Sequence, residues 1–230
     1  MASLGPPEPP APSDRPPLAL AEELLLLCTD PDSGTLRVSR NGFQRAIAAA
    51  VLAELLLTGG ITVEDRRITA FRPVGARDEV TAEVLARLER APKGRRSGLD
   101  ATLRRVPRAP AVRSFRERLV ASGHLTVERR RILLLVPYRA WLPVPSTVGA
   151  EIAERITATL RGASGPRGAS PTAVRDLHLA GMLWAAQLDR RLFPGRVHSE
   201  LRKSFRAVAR EQPIALALHR VVGADNASGG

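Results

Sequence analysis

Residues 42–60 read GFQRAIAAAVLAELLLTGG and decide the fold. Between Ala46 and Leu57 only Glu54 is polar, and Gly59 and Gly60 follow at the positions where glycine commonly ends a helix. A helix that is apolar on every side must be surrounded by other elements, so this segment is predicted to be the buried central helix of a domain. Glu54 then needs a partner, and we expect an arginine, because an unpaired buried carboxylate is costly.

The composition favours a domain of packed helices. The chain has 230 residues, of which 44% are hydrophobic and only 3% aromatic, so its core must consist mainly of Leu, Ala, Val and Ile. That mixture favours helix packed on helix over a β-sandwich. We predict a single compact, mainly α domain over residues 18–222, with small β-hairpins. A disordered proline-rich tail is predicted at 1–17 and a second disordered tail at 223–230.

The first helix of the domain is predicted from Leu18 to about Cys28, with Glu22 and Glu23 on its solvent side. Cys28 is the single cysteine, which excludes an internal disulfide and favours a reducing, cytosolic compartment. The apolar runs are much shorter than the roughly 20 residues that cross a bilayer, and the N-terminus lacks the features of a signal peptide. We therefore expect a soluble protein.

The charge of the chain points to an anionic partner. Its 35 Lys and Arg residues against 23 Asp and Glu give a formal net charge of +12. A surplus of this size attracts polyanions, either nucleic acid or an anionic membrane surface, and net charge alone does not choose between them.

Two segments of the chain repeat one pattern. Residues 58–68, TGGITVEDRRI, align with residues 122–132, SGHLTVERRRI. Each copy follows a predicted helix, and its alternating apolar residues flank a charged stretch. We predict two units of helix and β-hairpin with arginines at the turns, one of the hairpins projecting from the domain.

No pattern typical of catalysis occurs in the sequence. There is no phosphate-binding P-loop, no G-x-S-x-G nucleophile motif and no H-E-x-x-H zinc motif. The four histidines stand far apart without the spacing of metal ligands. We predict a protein that is not an enzyme and has no cofactor and no metal site.

The first candidate site lies on the predicted helix at 111–121. Its apolar residues share one face, and Arg113 and Arg116, three positions apart, meet on a neighbouring face. Two guanidinium groups on one rigid helix suit a phosphate monoester, since each can bind its oxygens bidentately. The alternative is that both arginines are solvated or that one of them pairs with Glu54.

The second candidate is the apolar stretch that follows the second repeat, residues 132–144, ILLLVPYRAWLPV. Pro137 and Pro143 argue against a central strand, and Trp and Tyr favour membrane–water boundaries. Two interpretations remain open: the stretch enters an anionic bilayer, or it packs, on the domain or on another subunit. The residues concerned are Leu133, Leu134, Leu135, Tyr138, Trp141 and Leu142.

The order of these parts resembles the Golgi phosphoprotein 3 family. The resemblance rests on LALAEELLLL at 18–27, DPDSG at 30–34, AELLLTGGI at 53–61 and VRSFRERLVASGHLTVERRRILLL at 112–135. It runs from about Leu18 to Val222. It implies a helical domain with a protruding hairpin, in a peripheral protein on the cytosolic face of a membrane that binds phosphatidylinositol 4-phosphate. The implied partners are this lipid, the cytosolic tails of membrane enzymes, and a second copy of the chain bound through the hairpin.

The resemblance also implies a headgroup pocket. In the family this pocket uses a Trp and an Arg near the start of the central helix, and two arginines of an R-x-x-R-E-R motif. The motif maps onto Arg113 and Arg116, whereas Ser39 and Ala48 occupy the other two positions. The neighbouring cations that we expect to compensate are Arg37, Arg40 and Arg45.

These observations together predict a non-enzymatic adaptor that binds a phosphoinositide headgroup at a membrane surface. The alternative is a winged-helix regulator that binds nucleic acid, because a helix followed by an arginine-tipped hairpin is typical of a recognition helix and its wing. The apolar stretch at 132–144 favours the membrane, since a wing that contacts phosphates gains nothing from it.

Overall fold

A computed structural model of the chain describes residues 18–72, 79–90, 97–105, 108–132, 136–162 and 170–228. Over these ranges the fold is mainly α, as predicted, with short antiparallel strands. The helices are α1 (Leu20–Cys28), α2 (Arg40–Leu57), α3 (Glu79–Glu89), α4 (Leu99–Arg105), α5 (Arg108–Ala121), α6 (Val148–Gly162), α7 (Pro171–Ala185), α8 (Asp189–Leu192), α9 (Ser199–Arg210) and α10 (Pro213–Ser228). The strands are β1 (Ile61–Glu64), β2 (Arg67–Phe71), β3 (Ser97–Gly98), β4 (Leu125–Ile132) and β5 (Val136–Pro143). The tail predicted at 1–17 lies outside the described residues.

Helix α2 is the centre of the domain. Its residues from Ala46 to Ala53 are all buried, and it packs against α1, α4, α5, α7 and α10. An apolar helix has no face that water can cover, so its neighbours enclose it. The helix ends at the predicted glycines: Gly59 has a φ of 71°, and Gly60 N donates to the Leu55 carbonyl at 2.7 Å. This is the Schellman arrangement, in which a left-handed residue closes the last turn.

The partner predicted for Glu54 is Arg175 of α7. Arg175 Nη1 lies 2.8 Å from Glu54 Oε1 and its Nη2 donates to the Leu18 carbonyl at 2.7 Å. The second carboxylate oxygen of Glu54 accepts a hydrogen bond from Leu20 N at 2.8 Å. One carboxylate therefore joins the central helix to α7 and to the start of α1, which confirms the expectation of an arginine partner.

Helix α1 is buried on every side, and the expectation that its two glutamates face solvent is wrong. Glu22 is only 4% exposed and Glu23 only 7%. Arginines from other helices reach both: Arg118 lies 3.1 Å from Glu22, and Arg155 lies 2.7 Å from Glu23. Burial raises the pKa of Glu23, while the charge of Arg155 opposes that shift.

The first repeat forms the predicted hairpin. Strands β1 and β2 pair antiparallel, with Glu64 opposite Arg67, and the short strand β3 extends the sheet beside β2. The turn residues Asp65 and Arg66 have φ values of 46° and 62°. Two consecutive left-handed residues form the tight turn whose twist matches that of the two strands.

The second repeat also forms a hairpin, but its turn differs from the prediction. Strands β4 and β5 pair from Leu125 opposite Pro143 to Ile132 opposite Val136. The charged residues 128–131, predicted to form the turn, therefore lie within β4, and the connection at 133–135 lies outside the described residues. In a two-stranded sheet both strands are edges, which tolerate charged side chains and the prolines of β5.

The C-terminal prediction needs correction as well. Residues 223–228, expected to be disordered, continue helix α10. Asp225 explains the difference: its Oδ2 lies 2.7 Å from Nε of Arg45, a residue of α2 that is only 4% exposed. A polar sequence thus stays helical because one of its carboxylates neutralises a buried cation.

Candidate anion-binding site

Helix α5 presents its two candidate arginines differently. Its apolar face is buried as predicted, with Phe115 1% exposed and Leu119 fully buried. Arg113 is 80% exposed and its Nε donates to Glu117 Oε1 at 2.8 Å, one turn further along the helix. Arg116 is half-buried. The two guanidinium groups therefore occupy different environments, and Arg116 is the one that faces neighbouring elements.

The guanidinium of Arg116 lies over the indole of Trp141, with Cζ 5.5 Å from the ring centroid. Its Nε is buried and has no hydrogen-bond partner within the described ranges. Stacking on an aromatic face is favourable for arginine and leaves the edge of the guanidinium plane, with its N–H donors, available. An unsatisfied buried donor costs free energy, so Arg116 occupies a position that the folded chain itself compensates only in part.

Arg40, at the start of α2, adds a second positive charge. Burial lowers the pKa of Arg116, and the nearby charge of Arg40 lowers it further. Neither side chain forms an ion pair with any carboxylate of the described chain. Two cations that repel each other with no compensating acid form a site that an anion would relieve.

The first turn of α2 contributes backbone donors to the same region. The first helical hydrogen bond of α2 runs from Phe43 N to Ser39 O at 3.0 Å, and the Ser39 side chain makes no capping bond. The N–H groups of Arg40, Asn41 and Gly42 thus precede the first bonded position, where free donors and the helix dipole both favour an anion.

The position of Trp141 is set by the loop at 30–34. Trp141 stands opposite Val127 in the hairpin, and its backbone touches Gly34 so closely that a Cβ at Gly34 would lie 2.5 Å from Trp141 N. Arg130 of β4 donates to the Asp32 carbonyl, a second contact between loop and hairpin. The indole is therefore held beneath Arg116 by contacts on its own backbone.

Two other arginines named in the sequence analysis have internal partners. Arg37 Nη2 donates to the Leu27 carbonyl at 2.9 Å. Arg45 bonds to Asp225 and donates through Nη1 to the Leu103 carbonyl at 3.2 Å. Of the three cations expected to compensate for Ser39 and Ala48, Arg40 is the one whose guanidinium has no such bond among the described residues.

The hairpin residues named in the sequence analysis also differ in their exposure. Leu142 is 8% exposed and cannot reach a bilayer without unfolding, and Trp141 packs on the core and under Arg116. Tyr138 is half-buried. Leu133, Leu134 and Leu135 lie outside the described residues. Of the two interpretations left open for this stretch, the position of Trp141 is the one expected for packing on the domain.

Metal ligands and the one thiol of the described residues lie outside this site. The His, Cys, Asp and Glu residues of the described chain form no group of three or more that could hold a metal ion. Cys28 is fully buried, and burial raises the pKa of its thiol to about 12, so the reactive thiolate does not form at neutral pH. None of the described helices is long and apolar enough to span a bilayer.

Fold and site define a helical domain with a cationic surface site built around a central buried helix. The sequence model of the Golgi phosphoprotein 3 (GPP34) family matches residues 20–224, nearly the whole chain. The chain belongs to this family, as the resemblance in its sequence predicts. No curated protein sequence matches it significantly.

Proposed function

We propose that this protein is a non-enzymatic, peripheral membrane protein that binds a phosphoinositide headgroup, such as that of phosphatidylinositol 4-phosphate, at Arg116. The observation that carries the proposal is the guanidinium of Arg116, which stacks on Trp141 beside the positive charge of Arg40 and pairs with no carboxylate of the described residues. Membership of the Golgi phosphoprotein 3 family supports a membrane-associated role. The single cysteine fits a reducing compartment, and the proposal therefore includes the cytosolic face of the membrane.

Arg116 occupies a position of the family pocket, whereas the aromatic ring and the second cation of the proposed site come from other positions of the chain. Where the family pocket has a Trp and an Arg, this chain has Ser39 and Ala48. Here Trp141 provides a ring from the hairpin, and Arg40 provides a cation from the first turn of α2. A phosphate monoester between Arg116 and Arg40 would receive two charged donors and face the N-terminus of a helix.

Charge reversal of Arg116 tests the proposal. We expect R116E to bind phosphatidylcholine vesicles containing phosphatidylinositol 4-phosphate at least about tenfold more weakly than the parent, since charge-assisted hydrogen bonds contribute about 1.5–3 kcal/mol each. Cosedimentation measures the affinity, and vesicles with phosphatidylinositol in place of its 4-phosphate show the dependence on the monoester. Arg40 is exposed, so R40E gives the same test with little risk to folding.

The matched control is R161E, which changes the net charge equally at an exposed residue of α6. We expect it to lose far less affinity than R116E or R40E, because non-specific attraction is worth only about 1 kcal/mol per basic residue near an anionic surface. Equal losses in all three variants would overturn the site. Tight, salt-sensitive DNA binding that depends on Arg116 would replace the proposal by the nucleic-acid alternative.

A further inference from the structure

A second cationic cleft, of about 500 Å³, opens between the end of α7, α8, α9 and α10. It is distinct from the site at Arg116, which lies between α5, β5 and the start of α2. Nine residues line the cleft: Trp184, Gln187, Asp189, Arg190, Ser199, Arg202, Lys203, Arg206 and His219. Four of these nine are permanently charged cations from two different helices, so the cleft concentrates positive charge within a confined volume.

The cations of this cleft are only partly neutralised. Arg202 is held in place by donating to the carbonyls of Phe193 at 2.9 Å and Gly195 at 2.8 Å. The side chains of Arg190 and Arg206 have no hydrogen bond or ion pair within the ranges that the structure describes. Arg202 and Arg206 are four positions apart on α9 and share one face. The cleft thus has one fixed and two available guanidinium groups.

The acidic contribution to the cleft is small. Among the lining residues the one carboxylate is Asp189, which is 4% exposed. Burial raises its pKa, an effect that the backbone N–H and charge of Arg190 partly oppose. Lys203 pairs with Glu200, but both side chains are more than 70% exposed, so this pair neutralises little.

Two stacked rings form a further part of the wall. The centroids of Trp184 and His219 lie 4.5 Å apart, with 25° between the ring planes. The indole of Trp184 stacks on the imidazole of His219, and His219 is exposed. An exposed imidazole in the wall can donate a hydrogen bond to an anion.

We propose that this cleft binds a phosphate monoester, independently of the site at Arg116. A monoester carries close to two negative charges at neutral pH and presents three terminal oxygens. Arg190 and Arg206 approach it from α8 and α9, and Arg202 and His219 supply further donors. A phosphodiester has one charge and two free oxygens, so it satisfies fewer of these donors.

The cleft adjoins the first site through the start of α2. A Cβ at Gly42 would lie 2.7 Å from the carbonyl of Ala186, and the next residue, Gln187, lines the cleft. Both cationic sites therefore border the same helical turn. This neighbourhood allows the phosphate to come from a second lipid headgroup, and the cleft is equally open to a soluble phosphorylated molecule.

The full chain should be titrated with glycerol 3-phosphate in solution and, separately, with phosphatidylcholine vesicles that contain phosphatidic acid. We expect R206A and R190A to weaken binding of at least one probe about tenfold or more. R210A, an exposed arginine on the same helix outside the cleft, should retain parental affinity. Binding of the soluble probe shows that the phosphate alone is recognised, whereas binding confined to vesicles identifies a lipid phosphate.

Two results would overturn the proposal: neither probe binds in a way that depends on Arg206, or R210A weakens binding as much as R206A does. R116E separates this cleft from the proposed function. We expect R116E to bind phosphatidylinositol 4-phosphate vesicles more weakly, while its affinity for glycerol 3-phosphate stays at the parental value. If R116E lost affinity for glycerol 3-phosphate as well as for phosphatidylinositol 4-phosphate vesicles, there would be one site rather than two, and the inference would be contradicted.

Discussion

Replacing Gly34 by alanine is expected to destabilise the protein by about 3 kcal/mol or more, the sum of a strained backbone and an overpacked contact. Gly34 has a φ of 67°, and a Cβ there would lie 2.5 Å from N, 2.9 Å from O and 3.0 Å from C of Trp141. These are backbone atoms of a paired strand, so they cannot turn away as a side chain can. Urea denaturation followed by tryptophan fluorescence measures the loss.

Gly59→Ala is the matched control for Gly34→Ala. Gly59 has nearly the same φ, 71°, but a Cβ there would meet no atom within 4 Å. We expect a loss of about 1–2 kcal/mol, the cost of the left-handed conformation alone. Because Gly34→Ala also displaces the ring under Arg116, it should weaken vesicle binding, whereas Gly59→Ala should not. Equal losses of stability in the two variants would show that the contact with Trp141 is unimportant.

Asp225→Ala is expected to cost about 3 kcal/mol, because it leaves a buried charge without its counter-charge. Arg45 is 4% exposed and, among the described residues, would keep as its hydrogen-bond partner the Leu103 carbonyl, 3.2 Å from its Nη1. The end of α10 should also lose helix, since Asp225 is what holds it to α2. Chemical denaturation gives the free energy, and hydrogen exchange of residues 223–228 reports the fraying.

Asp100→Ala provides the comparison for Asp225→Ala. It removes the partner of Arg220, a two-bond pair that also ties α10 to a neighbouring helix, but whose side chains are 36% and 39% exposed. We expect a loss of about 1 kcal/mol or less, as for other exposed pairs.

A double variant tests the explanation given for Asp225→Ala. Adding Arg45→Met to Asp225→Ala removes the unpaired charge and should restore part of the stability. A double variant as unstable as the single one would contradict this explanation.

The core of the fold was predictable because it rests on local sequence alone. The apolar run from Ala46 to Leu57 leaves no polar face, which requires a central helix whatever surrounds it. The same reasoning required an arginine for Glu54, although the identity of Arg175, 121 positions away, could not be read from spacing. Glu22 and Glu23 are buried although charge on a helix usually predicts exposure, because distant arginines of α5 and α6 pack against them.

The candidate site was predictable in part. The spacing on the helix at 111–121 points to Arg113 and Arg116 together, and the family resemblance points to Arg37, Arg40 and Arg45 around the start of the central helix. Arg113 pairs with Glu117 four positions along the same helix, which is a local contact. The partner of Arg45 is tertiary, since Asp225 lies 180 positions away. The role of Trp141 depends on the hairpin register, which a misplaced turn reverses. The cleft at α7–α10 has residues from four elements, and no contiguous pattern predicts it.

Cys28 gives the molecule an internal reporter of its own opening. Its thiol is fully enclosed between α1 and the surrounding helices, with a pKa of about 12, and the chain has no other cysteine. A maleimide or disulfide reagent can therefore react only with molecules in which α1 has transiently detached. The labelling rate of the unmodified protein would follow that detachment directly, and a ligand that strengthens the folded state would slow the reaction in proportion to its occupancy.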